Sequence, residues 1–142
     1  MSVFLFVLSL FTGSHVMATT FGGEGDASNP DSRLACWKYI GKKFNDRLDD
    51  KKDFLVAHRT LPCGTSLIIC NPRTKKCATA RVGDRGPFGK TKGKYRAGID
   101  LSTAVAKSIH FNGMEKVLIW KAKEGFEDLQ ELTKPGGLLS FQ

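Results

Sequence analysis

Val82-Gly83-Asp84-Arg85-Gly86-Pro87-Phe88, followed one short loop later by Ile99-Asp100-Leu101-Ser102, decides how this chain is read. The first stretch is a β-prone run that meets an acidic residue, a charged turn and a Gly-Pro break. The second places another acidic residue directly before a helical pattern. Two carboxylates therefore stand at element ends, where side chains project toward a ligand and not into a core.

Working outward, Ser66–Cys70 and Ala78–Val82 are the clearest strands, joined through Asn71-Pro72-Arg73-Thr74-Lys75-Lys76 as a hairpin. Phe54–His58 is a further apolar run ended by the turn Leu61-Pro62-Cys63-Gly64, and Thr19–Phe21 is β-prone up to Gly22-Gly23. Leu101–His110 reads as a helix with Asp100 or Ser102 as its cap, stopped by Gly113. Val117–Trp120 is a last strand. Leu34–Phe44 is a short helix or an irregular packed segment, Lys90–Arg96 a Gly/Lys-rich surface loop, and Glu124–Leu132 a second short amphipathic helix. Several short strands with one helix placed among them predict a mainly β fold, a small barrel of mixed topology.

At 142 residues the chain is expected to form one domain, large enough to bury a core of its own. Its net charge of +8 suits an anionic polymer, whether nucleic acid, lipid headgroups or an acidic polysaccharide. No nucleic-acid-binding motif is present in the sequence, so nucleic acid is not an expected partner. Val3–Phe11 is almost wholly apolar and too short to span a bilayer. With Val16-Met17-Ala18 behind it, residues 1–18 read as a signal peptide, although no Lys or Arg precedes the apolar run; a retained N-terminal anchor is the alternative. The domain is then 19–123, and 124–142 is a C-terminal extension with a largely apolar tail.

The four cysteines suit disulfides in an exported protein. Cys70 and Cys77 flank the hairpin turn and are expected to pair across it, leaving Cys36 with Cys63; four cysteines allow three pairings. No Cys-x-x-Cys occurs, and His15, His58 and His110 lack ligand spacing, so no metal site is expected.

Three blocks in order, Ala57-His58-Arg59-Thr60-Leu61-Pro62-Cys63-Gly64-Thr65, Val82–Phe88 and Ile99–Ser102, closely resemble the rare lipoprotein A family. The likeness extends over about Thr19 to Lys121. It implies a six-stranded double-psi β-barrel with one or two short helices, related to barwin and expansins. It further implies lytic transglycosylase activity on peptidoglycan, cleaving between N-acetylmuramic acid and N-acetylglucosamine without metal or other cofactor. The family's catalytic Asp and His fall on Asp84 and His58, and Thr19, Arg85, Asp100 and Ser102 are expected to shape the groove. Gly83 stands where the family often has Asn, the Gly89–Gly98 loop is longer and more basic than usual, and a lipoprotein cysteine is lacking.

Glycosidic cleavage needs a carboxylic acid that protonates the leaving oxygen. An isolated exposed Asp titrates near ~3.9 and is ionised at neutral pH. The role therefore calls for Asp100 nearby, an apolar wall such as Phe88, and an Arg85 directed away from Asp84. Against this stand plainer roles: a structural turn for Asp84-Arg85, a helix-start role for Asp100, a buried hydrogen-bonding His58, and core packing for Trp37, Tyr39 and Trp120. The leading expectation is a secreted or envelope enzyme. Its rivals are a non-catalytic wall-binding module and a component of a larger assembly, such as a phage particle, docked through its N-terminal segment or its tail.

Overall fold

A computed structural model describes residues 13–22, 33–49 and 51–122. The strands are β1 (Ser14–Phe21), β2 (Leu55–Ala57), β3 (Ser66–Asn71), β4 (Lys76–Asp84), β5 (Lys90–Thr91), β6 (Lys94–Tyr95), β7 (Ile99–Ser102) and β8 (Glu115–Lys121). One α-helix, α1, spans Thr103–Ser108, and Trp37–Tyr39 forms a 3-10 turn. Six strands close a barrel in the order β1-β7-β2-β4-β3-β8, with β8 returning to β1. The pairs β1/β7 and β2/β4 are parallel and the rest antiparallel. This is the mainly β barrel of the sequence expectation.

The barrel holds because each of its six strands contributes apolar side chains to one interior. Val56, Ile69, Val82, Ile99, Leu101 and Val117 are all fully buried. In β3, Leu67-Ile68-Ile69-Cys70 is buried throughout, as suits β-branched and aliphatic residues inside a closed sheet. Helix α1 covers one end, burying Ala104, Val105 and Ala106. Cys70 lies directly opposite Cys77 in the β3/β4 register, and the two are bonded; Cys36 is bonded to Cys63. All four cysteines are thereby engaged as the spacing predicts, and none is left as a thiolate ligand.

Three expectations are corrected here. The predicted helix over Leu101–His110 starts two residues late: Leu101 and Ser102 complete β7, because Leu101 pairs with both Thr20 and Val56 inside the barrel. The surface loop Lys90–Arg96 contains a small hairpin, β5/β6, closed by the Arg96 N–H on the Gly89 carbonyl at 3.0 Å. The first strand begins at Ser14 and not near residue 19: Ser14–Ala18 pair with Ile119–Glu115 of β8, and Ala18 has no exposed surface. The apolar run 3–11, the segment Glu24–Arg33 expected as a polar loop (all but its last residue) and the extension 124–142, with its predicted helix, lie outside the described residues.

Candidate active-site groove

β4 ends in a bulge that sets the site. Val56 pairs with Val82 and Ala57 with Asp84, so Gly83 is the extra residue on the β4 side. A bulge re-aims the residue that follows it. Here the freed backbone groups gain new partners: the Gly83 carbonyl accepts from Cys36 N–H and the Asp84 carbonyl from His58 N–H, both at 3.1 Å. Glycine fits because a Cβ at 83 would lie 3.0 Å from Leu55 Cδ1 and 3.3 Å from Ile40 Cδ1.

The register then aligns four residues across neighbouring strands. Thr19 of β1 is opposite Asp100 of β7, Asp100 is opposite Ala57 of β2, and Ala57 is opposite Asp84 of β4. All four line an open groove of about 960 Å³. Its walls come from two segments, one carrying Arg33, Leu34 and Arg47, the other carrying Pro87, Phe88 and Arg96. Ala57, on the strand between the two acid-bearing ones, adds only a methyl group to the lining.

Each acid has a neutral donor. Asp84 Oδ1 accepts from the Ala35 N–H at 2.9 Å, and Asp100 Oδ1 accepts from the Thr19 hydroxyl. Arg85 is directed away from Asp84. Its Nη1 donates to the carbonyls of His58, at 3.1 Å, and Leu61, and its Nη2 approaches Cys63 Sγ at 3.1 Å. The guanidinium thus holds the His58–Cys63 turn.

His58 does not line the groove with Asp84. Its Nδ1 accepts from the N–H groups of Thr60 at 3.1 Å and Leu61 at 3.0 Å, which places the ring proton on Nε2. Burial, and then the charges of Arg59 and Arg85, hold its pKa below the usual 6.5, so the imidazole is kept neutral. Ser102, expected beside the groove, is instead fully buried. Its hydroxyl donates to the Asp53 carbonyl at 2.6 Å and accepts from Leu55 N–H at 3.3 Å and from Val105 N–H at the start of α1. Ser102 is therefore the cap, and Asp100 sits within β7, not at the helix start.

Several groove residues carry no sequence signature. Ala35 acts through its backbone, and Arg33, Arg47 and Arg96 are single basic residues in polar stretches. Phe88 faces solvent with 61% of its surface exposed, so the apolar wall expected of it is available to a ligand.

Barrel order and bulge together define a double-psi β-barrel with an acid-bearing groove across its strand ends. An expansin of Clavibacter michiganensis has the same fold, with a TM-score of 0.51 over 78% of this chain and 50% of its own at 17% identity. In sequence, a probable endolytic peptidoglycan transglycosylase RlpA of Nostoc is 34% identical over 98 residues, 68% of this chain and 22% of its own length. The endolytic peptidoglycan transglycosylase RlpA of Pasteurella multocida is 36% identical over 81 residues, 53% of this chain and 26% of its own. The chain is thus similar in sequence to part of the RlpA proteins and in fold to an expansin double-psi β-barrel. It spans about a quarter of the length of these relatives, and no family model matches it.

Proposed function

We propose that this barrel is a peptidoglycan lytic transglycosylase with Asp84 as its general acid and base. The observation that carries the reading is the row Thr19, Asp100, Ala57, Asp84 in an open groove, with Arg85 tied to the turn and not to Asp84. A carboxyl paired to that guanidinium would be held in its ionised form and would make a poor acid; the bonds of Arg85 remove this obstacle.

In the proposed reaction the Asp84 carboxylic acid gives its proton to the glycosidic oxygen as the C1–O bond breaks, the bonding pair leaving with that oxygen. The 6-hydroxyl of the same muramic residue attacks C1 and passes its proton to the Asp84 carboxylate, which restores the acid. No water is consumed, so a second carboxylate is not required to activate one. Asp100, held by Thr19, lies across Ala57 and orients the sugar. Neutral His58 acts through the turn: its ring accepts two backbone donors, and its N–H holds the Asp84 carbonyl.

The names of the RlpA relatives support the substrate, and among the described residues no helix is long and apolar enough to cross a membrane. Action at the cell envelope follows from that substrate. Docking into a larger assembly through either end rests on segments outside the described residues and has no observation behind it. The wall-binding alternative has one: Ala35 N–H already occupies one oxygen of Asp84, as in a purely structural carboxylate.

Digestion of purified sacculi with the protein and with Asp84→Asn, followed by mass spectrometry, decides between them. Anhydro-muropeptides from the parent alone support the enzyme. Reducing ends point to hydrolysis, and intact sacculi with retained binding point to the binding module.

A further inference from the structure

The groove holds more positive charge than its two carboxylates account for. Arg85 is taken by the turn, and Asp84 and Asp100 have the Ala35 N–H and the Thr19 hydroxyl as donors. Arg96 also lines the groove, is exposed, and its guanidinium makes no hydrogen bond or ion pair among the described residues. Its position is nevertheless built. Its N–H closes the β5/β6 hairpin on Gly89, and a Cβ at 89 would stand 3.2 Å from the guanidinium carbon, so glycine there leaves the space the side chain lies in. From the other lining segment, the Arg33 guanidinium carbon sits 4.1 Å from the centroid of the Phe44 ring. Stacking steadies a guanidinium while its in-plane N–H donors stay available.

We propose that Arg96 and Arg33 form a carboxylate-reading site in the groove, so that its ligand is an acidic glycan and not a neutral one. Planar guanidinium groups bind carboxylates through paired N–H donors, which a neutral hydroxyl-bearing sugar cannot satisfy with charge. The identity of the polymer as peptidoglycan rests on the function proposed above. The preference for a carboxylate does not.

The test uses the full chain carrying Asp84→Asn, so that binding is read without turnover. Three probes are titrated: muramic-containing glycan strands freed of peptide, the same strands with their lactyl carboxylates amidated, and strands still bearing peptides. Peptide-free strands are expected to bind about tenfold more tightly than amidated ones, the effect of one exposed charge-assisted pair. Arg96→Ala and Arg33→Ala each shrink that ratio and together bring it to one. Arg96→Lys keeps only part of it, because the fork is lost. A ratio carried by peptide-free strands assigns the carboxylate to the sugar, and one carried only by peptide-bearing strands assigns it to the peptide. Equal affinity for all three probes, or a ratio indifferent to both substitutions, overturns the proposal. Loss of cleavage on sacculi would overturn the enzyme reading and leave this ratio standing.

Discussion

Removing the Cys36–Cys63 disulfide should cost both stability and catalysis, whereas removing Cys70–Cys77 should cost stability alone. The bridges close loops of different length, with sequence separations of 27 and 7. Chain entropy then assigns about 3.5 kcal/mol to the first and about 2.4 kcal/mol to the second. Their surroundings differ more. Cys70–Cys77 links facing residues of a hairpin whose strands β3 and β4 are already paired from Ser66 opposite Arg81 to Asn71 opposite Lys76. Cys36 is flanked by the two contacts that hold the end of β4: Ala35 N–H on Asp84 Oδ1 and its own N–H on the Gly83 carbonyl. Its partner Cys63 belongs to the turn held by Arg85. The Cys36→Ala/Cys63→Ala protein should therefore unfold at lower denaturant and show kcat on sacculi reduced by about tenfold or more, with binding less affected, because the acid is misplaced. Cys70→Ala/Cys77→Ala should lose about two-thirds as much stability and keep kcat. Chemical denaturation and a turnover assay on each variant check this. Equal loss of kcat in the two variants would refute the claim that the first bridge positions Asp84.

Gly83→Asn, which restores the residue common in the family, should destabilise this chain by about 1–3 kcal/mol through overpacking against Leu55 and Ile40, and a Leu55→Ala background should relieve much of the loss; thermal melts of the three proteins check it. The lowered pKa of His58 means the unfolded chain takes up its proton first as pH falls. Its contribution is present above 6.5 and is lost as pH drops through the lower folded value, so Tm of the parent should fall there more steeply than that of His58→Gln. A chain beginning at Thr19 loses the Ser14–Ala18 pairing with β8 and should lack a cooperative unfolding transition, whereas one beginning at Gly13 should keep it.

Legibility in the sequence followed the range of the interactions. β3 and β4 were readable because a hairpin is local: the apolar runs, the Pro-containing turn and the cysteine spacing all report on the same neighbours. The short strand β7 was not, since Ile99–Ser102 becomes a strand only by pairing with β1 and β2, more than forty residues away along the chain, and its sequence runs on into the pattern of α1. The first half of β1 was hidden for a related reason. Its apolar character matches a processing signal as well as a strand, and only its pairing with β8 separates the two.

The site shows the same division more sharply. Asp84 and Asp100 were visible because a carboxylate beside a Gly-Pro break or at a strand end is a local pattern. What each neighbour does was not. Arg85 is adjacent to Asp84 in sequence, yet its guanidinium serves a turn more than twenty residues upstream. His58 reads as a partner for the acid, yet its ring is spent on that turn and only its backbone reaches Asp84. Sequence adjacency fixes where a backbone goes, and a bulge at Gly83 fixes where the side chains after it point. After that bulge Arg85 and Asp84 go to different partners, which is what the proposed acid role requires. A glycine with no chemistry of its own thus stands behind the proposed chemistry, and its substitution should misplace Asp84 as well as crowd Leu55 and Ile40.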